Sequence, residues 1–306
     1  MLIGTMSCRT LRSRTRIAAL EEATMEIVTN AFSITDNSSK TLGTGLYLGI
    51  SAQNHSCIPD VFVRFEGATA VMRSPEEGKK YDRSLTISYV DLMGLTEERN
   101  KILQDQFCFV CNCSVCTNKV EDDWKRSVNT KCCPGGFCLV DPSDDWNTNP
   151  PSCILCKKPV SMCLNKALEY NASGRMELDN KTGSGFTSPA MEFERWCDIF
   201  EKFVKVLSPY NTVLVNINQE FLSTAECIGR EDICCQYADV VLAAYRRYLP
   251  AGHPELSQRL RSAFLSKVQH HPLQQCRMLL LEAYNNAVLS HGENHPIATE
   301  LASYLS

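Results

Sequence analysis

The segment "NHSCIPD", Asn54 to Asp60, sets an amide, an imidazole, a hydroxyl and a thiol in four consecutive positions ahead of a proline. Such groups can serve as a nucleophile with its base, as one corner of a metal site, or as a polar loop. A second run, "CFVCNCSVC", supplies Cys108, Cys111, Cys113 and Cys116. Its C-x-C-x-x-C core can close three corners of a tetrahedral zinc site within one tight turn, with thiolates at about 2.3 Å from the ion. The fourth ligand is either Cys57, isolated in the opening segment, or Cys108, which would complete a local set. A zinc ion with four thiolates has no open position, so such a site is structural.

A looser group follows. "KCCPGGFC" carries Cys132, Cys133 and Cys138, and "CILC" carries Cys153 and Cys156. Two knuckles joined by a loop of this size read as a zinc ribbon, with Cys133, Cys138, Cys153 and Cys156 as the expected set and Cys132 as the alternative to Cys133. The remaining Cys163, Cys197, Cys227, Cys234, Cys235 and Cys276 fall on or near helical stripes and read as small core residues. A catalytic His55–Cys57 pair is not expected. Two residues apart on an extended segment, their side chains run in parallel, and no protease or transferase signature surrounds them.

The chain that must position these groups has 306 residues, enough for two ordinary domains, with 44% apolar and 22% charged residues. A net charge of −4 gives no electrostatic footprint for nucleic acid, which argues against a zinc-ribbon nucleic-acid binder. No apolar run approaches a membrane span, and no signal-peptide core is visible. The expected location is the cytoplasm, the nucleus or both. In such a reducing compartment, seventeen cysteines, ten of them between Cys108 and Cys163, read as metal ligands rather than disulfides.

Residues 1–16, with Arg9, Arg12, Arg14 and Arg16, read as a disordered leader, and the spacing of Ile17, Leu20, Ile27 and Val28 predicts a helix up to about Asn30. From Phe32 to Tyr89 the pattern is one of short strands. "VFVRFEGATAVM" predicts a hairpin turning at Glu66-Gly67, and "LTISYVD" another brief strand. "TEERNKILQDQ", starting with Thr96 and with Glu98 close behind, predicts a capped short helix. Residues 171–190 are rich in Gly, Ser, Asn and Thr and read as a flexible linker. Beyond Met191 the chain reads as helical, with stripes in "WCDIFEKFVKVL", "ICCQYADVVLAAYRRYL" and "QQCRMLLLEAYNNAVL". Gly252-His253-Pro254 and Asn294-His295-Pro296 recur 42 residues apart, a period that suits an α-solenoid of tetratricopeptide type.

Three motifs in one order, "GLYLGISAQNHSCIPDVFVRF", "LTISYVDLM" and "EERNKILQDQFCFVCNC", resemble the SET-and-MYND (SMYD) branch of SET-domain protein-lysine methyltransferases. The resemblance runs from about Ile17 to Cys116 and, more weakly, from Met191 to the end. It implies an α+β protein: a partial, β-rich SET domain over 17–95, a post-SET zinc segment over 96–118, a cysteine-rich insertion and linker over 119–190, and a helical tetratricopeptide-like domain over 191–306. It implies S-adenosylmethionine as cofactor, zinc as structural metal, and a histone or other protein lysine as substrate, with protein partners at the helical domain. By the same resemblance Asn30, Asn54, His55 and Phe109 belong to the cofactor site. Tyr89 is the catalytic tyrosine, Phe32 and Phe107 line the lysine channel, and Cys57 joins Cys111, Cys113 and Cys116 on zinc, leaving Cys108 out.

The chain departs from the family pattern at named positions. Phe107 stands where a second tyrosine is usual, and Asp60 where the family has Asn. The half of the SET domain that carries a Gly-rich cofactor loop, and the MYND finger, find no match before Ile17. The chain is therefore expected to be a truncated product, an alternative isoform or an incomplete gene model. The rival reading is a non-catalytic, zinc-stabilised interaction scaffold of the same ancestry.

Overall fold

A computed structural model describes residues 30–36, 41–76, 85–180 and 188–305. The expected leader, and the helix expected before Asn30, lie outside these residues. The first half is built of short strands, as its alternation predicts. These are β1 (Ala31–Thr35), β2 (Thr41–Leu46), β3 (Asn54–His55), β4 (Phe62–Glu66), β5 (Thr69–Arg73) and β6 (Thr86–Ile87), with a one-turn helix α1 (Leu48–Ser51) between β2 and β3. β1 pairs with β2, and β4 with β5, in antiparallel register, the second pair turning through Gly67 and Ala68. β3 instead pairs in parallel with β6, Asn54 opposite Thr86 and His55 opposite Ile87. That pairing sets the NHSC and SYVD segments side by side.

Asp60 fastens the same junction. Its Oδ2 accepts the Thr86 N–H at 3.0 Å and the Thr86 hydroxyl at 2.7 Å. A carboxylate only accepts, and both Thr86 groups donate, so Asp is chemically matched to this position. The apolar core beneath is small. Ile50, Val61 and Ile87 are buried, with Phe32, Tyr47, Val63 and Tyr89 packed against them.

The middle of the chain holds α2 (Thr96–Phe107), α3 (Ser114–Thr117), α4 (Val120–Lys125), and the antiparallel pair β7 (Val128–Asn129) and β8 (Phe137–Cys138). Thr96 is the first helical residue of α2, as the sequence suggests. Leu95 holds the cap position, and the Glu98 carboxylate reaches back to accept the Leu95 N–H at 2.6 Å.

The last half is helical: α5 (Leu164–Asp179), α6 (Pro189–Phe203), α7 (Thr212–Cys227), α8 (Glu231–Tyr237), α9 (Leu242–Tyr248), α10 (Pro254–Val268), α11 (Leu273–His291) and α12 (Pro296–Ala302). Two expectations are corrected here. Residues 171–179, read as linker, continue α5, because tertiary contacts override their composition. Asn171 donates to the Arg126 carbonyl at 3.0 Å, and a Cβ on Gly174 would lie 2.5 Å from Val213 Cγ1, so only glycine admits that close crossing. The stripe in "ICCQYADVVLAAYRRYL" is not one helix but two, α8 and α9, separated by a tight turn in which the Val240 N–H bonds back to the Tyr237 carbonyl at 3.2 Å.

The two Pro-containing junctions are built alike. His253 Nδ1 accepts the Glu255 N–H at 3.2 Å and His295 Nδ1 the Ile297 N–H at 3.3 Å, each with Pro in the first helical turn. The sequence recurrence is thus a recurrence of local structure. The β-rich half is fastened to this helical half by arginine. Arg73 donates to the Leu289 and Val288 carbonyls at 2.7 and 3.1 Å, and Arg64 to the His291 carbonyl at 3.0 Å. Both guanidinium groups thereby meet the negative end of α11. Among the described residues no helix is long and apolar enough to cross a membrane.

Candidate active site and metal centre

Where β1, α1 and the segment after β6 meet the end of α2, a cavity of about 410 Å³ opens, lined by Asn30, Phe32, Ser51, Tyr89, Phe107 and Phe109 among others. Tyr89 is its polar centre. Its ring packs 4.7 Å from Phe107 and 6.4 Å from Phe109, centroid to centroid. Its hydroxyl donates to the Gln53 carbonyl in a short hydrogen bond. Burial raises the phenol above its usual range, so it stays protonated at neutral pH. Ser51 donates to the Asn30 carbonyl at 3.1 Å, which ties the one-turn helix α1 to the rim.

His55 stands behind this cavity, its ring 5.3 Å from Tyr89 and 5.8 Å from Phe109. The Tyr89 N–H donates to His55 Nδ1 at 3.1 Å, which makes Nδ1 the acceptor and leaves the proton on Nε2. Nε2 lies 3.3 Å from Cys57 Sγ and donates to it. Burial first, and then the positive Arg99, hold the imidazole down to about 4, so it is neutral. His55 and Cys57 do meet, contrary to the parallel geometry expected, because β3 ends at His55 and the chain bends through Ser56 and Cys57. They do not form a nucleophile pair, since Cys57 is committed elsewhere.

The sulfurs of Cys57, Cys111, Cys113 and Cys116 all lie within 4.8 Å of one another. Tetrahedral zinc with bonds of about 2.3 Å separates its sulfurs by about 3.8 Å, so this quartet fits the ion with small adjustments. Cys57 and Cys116 are 3.5 Å apart. Cys108 is not in the quartet. It is exposed and closes α2 in a left-handed conformation, at φ 60°. Burial pushes the Cys57 thiol far above its usual range. At Cys113 burial also pushes upward, but the backbone N–H groups of Cys116 and Val115 and the neighbouring thiols outweigh it, and its pKa falls to about 7. Four crowded thiols of this kind ionise together only around a cation.

No family model matches the chain. Its similarity to curated proteins is nonetheless extensive. Over 290 residues it is 27% identical to the histone-lysine N-methyltransferase ASHR1 of Arabidopsis thaliana, covering 90% of this chain and 58% of that protein. It is 23% identical to the human N-lysine methyltransferase SMYD2 over 277 residues, 89% of this chain and 57% of the relative. Human histone-lysine N-methyltransferase SMYD3 is likewise 23% identical over 289 residues, 92% of this chain and 57% of the relative. Over most of its length the chain is similar to lysine methyltransferases of SMYD type. It spans somewhat over half the length of these relatives.

Asn30, Phe32, Tyr89, Phe107 and Phe109, named from sequence, converge on one cavity. Asn54 is exposed and His55 sits one layer behind the lining. The second cysteine group is gathered differently from the expected ribbon. Cys132 and Cys133 both join Cys153 and Cys156, while Cys138, the expected fourth ligand, is wholly buried in the core. The reason is the strand pairing: β8 holds Cys138 opposite Val128, whereas Cys132 and Cys133 sit on the preceding turn. Of the other cysteines, Cys234 and Cys276 are buried as expected, but Cys163 and Cys227 are exposed.

Sequence reasoning missed Arg99. Although on α2, its side chain is 1% exposed. It donates to the Gly94 carbonyl at 2.5 Å, to Thr96 Oγ1 at 3.0 Å and to Cys116 Sγ at 3.5 Å. A four-thiolate zinc carries two net negative charges, and Arg99 supplies a buried positive neighbour. The available signal was a basic residue four positions before the buried Leu103, on the inward stripe of α2.

Proposed function

We propose that the chain acts as an S-adenosylmethionine-dependent protein-lysine N-methyltransferase, with histone or other protein lysines as substrate. The observation that carries this reading is the convergence of Tyr89, Phe32, Phe107 and Phe109 on one cavity backed by a four-thiol centre. Flat aromatic walls, with the Asn30 amide at the edge, suit a ligand that carries a planar ring and a cationic sulfonium. When bound, S-adenosylmethionine supplies a methyl group on sulfur as the electrophile.

The chain's residues do the rest by positioning. The Tyr89 hydroxyl donates its hydrogen bond to the Gln53 carbonyl, so its oxygen is free to accept an N–H of an incoming lysine amine. Phe32 and Phe107 exclude water, and a desolvated ammonium loses its proton more readily, which favours the neutral, nucleophilic amine. Phe107 offers no hydroxyl, so one hydrogen bond to the amine is absent, and that leaves more room for an already methylated nitrogen. Zinc on Cys57, Cys111, Cys113 and Cys116 would have no chemical role. It would join the NHSC loop to the segment bearing Phe109.

The helical half is read as a tetratricopeptide-like platform for protein partners, on the strength of the two matching His-Pro junctions. A second reading, a non-catalytic scaffold, draws on the helical half, which holds most of the buried core. S-adenosylmethionine titrated into the purified 306-residue chain by calorimetry separates the two. Saturable binding that Phe109→Ala weakens supports the enzyme. No heat from a chain that retains its zinc supports the scaffold.

A further inference from the structure

We infer that Cys132, Cys133, Cys153 and Cys156 form a second zinc centre, independent of the Cys57 centre, that pins the segment between α4 and the helical half. The four sulfurs lie within 4.8 Å of one another. Cys132 and Cys156 are 3.3 Å apart and Cys133 and Cys153 3.7 Å, close to the spacing of about 3.8 Å that a tetrahedral thiolate zinc requires.

Two features outside the quartet point the same way. Thr130 Oγ1 donates to Cys153 Sγ at 3.6 Å, the kind of outer hydrogen bond that orients a thiolate ligand. Gly136 is the floor of the cluster. A Cβ there would lie 2.7 Å from Cys133 Sγ, 2.7 Å from Thr130 Oγ1 and 3.0 Å from Cys153 Sγ, so glycine alone lets the sulfurs close over the turn. Beyond Cys156 the chain reverses at Lys157, φ 61°, with the Lys157 N–H on the Cys153 carbonyl at 3.0 Å. The four-sulfur environment is one that zinc favours over harder ions.

The centre sits next to a polar seam. Thr130 directly follows β7, where the Asn129 side chain donates to the Val204 and Leu207 carbonyls at 3.0 and 2.8 Å. The Asn129 N–H also donates to the Val206 carbonyl at 2.9 Å, and the Ser208 N–H to Ser127 at 3.2 Å. On the other side, Lys125 at the end of α4 donates to the Leu92 and Gly94 carbonyls at 2.8 and 2.6 Å. Holding 130–156 in shape therefore holds the strand between these two sets of bonds. Nothing in this inference depends on the methyltransferase reading.

The test is the zinc content of the purified chain by mass spectrometry, with X-ray absorption to read the ligand atoms. Two zinc ions per chain with sulfur-only shells are expected. Cys153→Ser and Gly136→Ala should each reduce the count from two to one, and speed hydrogen exchange at Asn129 and Ser208. Cys138→Ser should leave two. One zinc in the wild-type chain, two zinc retained by Cys153→Ser, iron in place of zinc, or disulfides among these four cysteines would each overturn the inference. Should Cys153→Ser fail to fold, the wild-type count and Cys138→Ser still decide it.

Discussion

The two halves of the molecule are held together by different means. In the helical half, Trp196, Phe200, Phe203, Phe221, Phe264 and Leu260 are among many side chains at or below 1% exposure, and Phe200 stacks on Phe221 at 4.6 Å. Among the described residues, the β-rich half has a small core cluster of Ile50, Val61 and Ile87, a two-residue ladder between β3 and β6, and polar fastenings such as Asp60 to Thr86. A core that small does not offset the entropy of ordering the loops around it. Both thiol quartets lie at the edge of the larger core, with Cys57 and Cys153 buried in it. The cavity-bearing half leans on polar fastenings and on its contact with the larger core, and the helical half is held by its own apolar packing.

The largest expected effect breaks that comparison at the metal. Cys113→Ala should release one zinc and unfold the surroundings of Tyr89, since structural zinc binding of about 10–16 kcal/mol is also folding energy. Far-ultraviolet circular dichroism should keep most of its helical signal while the Tyr89 region loses exchange protection. Cooperative loss of both halves at once would show that they are not distinct. The converse variant, Phe221→Ala, should cost about 3–5 kcal/mol in chemical denaturation, as an aromatic removed from a packed core does, with zinc content unchanged.

A smaller effect reports on the seam between the halves, where the His253 ring packs 4.7 Å from Phe62. Burial holds His253 down to about 4 from an ordinary 6.5. The unfolded chain therefore takes up a proton that the folded chain refuses. The stability at stake is full above pH 6.5 and is lost progressively as pH falls toward 4. The loss amounts to about 3 kcal/mol at most. His253→Asn keeps a helix cap without a titrating ring, and should lessen the slope across that window by one proton, His55, His291 and His295 keeping theirs. An unchanged slope would place the proton uptake elsewhere.

How far each region could be read from sequence follows the same division. The hairpin through Gly67, the helices after Met191 and the quartet with Cys57 were legible, because alternation, apolar stripes and thiol spacing are local or motif-bound signals. Residues 171–179 were not. Their Gly and Asn read as linker, yet Gly174 and Asn171 serve contacts to α7 and to the Arg126 carbonyl that no window of sequence contains. The choice of Cys132 over Cys138 depended on which side of a two-residue strand each cysteine fell. Arg99 was hidden for a like reason: a buried arginine is legible only once its carbonyl and thiolate partners are in place.

Tyr89 is the residue on which the proposed chemistry turns. The direct measurement is transfer of a labelled methyl group from S-adenosylmethionine to lysine in histones and in a whole-protein extract, by the wild-type chain and by Tyr89→Phe. Labelled lysine with the wild-type chain, and a loss of about 10²-fold in kcat with Tyr89→Phe at unchanged zinc content, is the predicted result. Equal labelling by the two proteins, or none from a wild-type chain with its zinc in place, would contradict it.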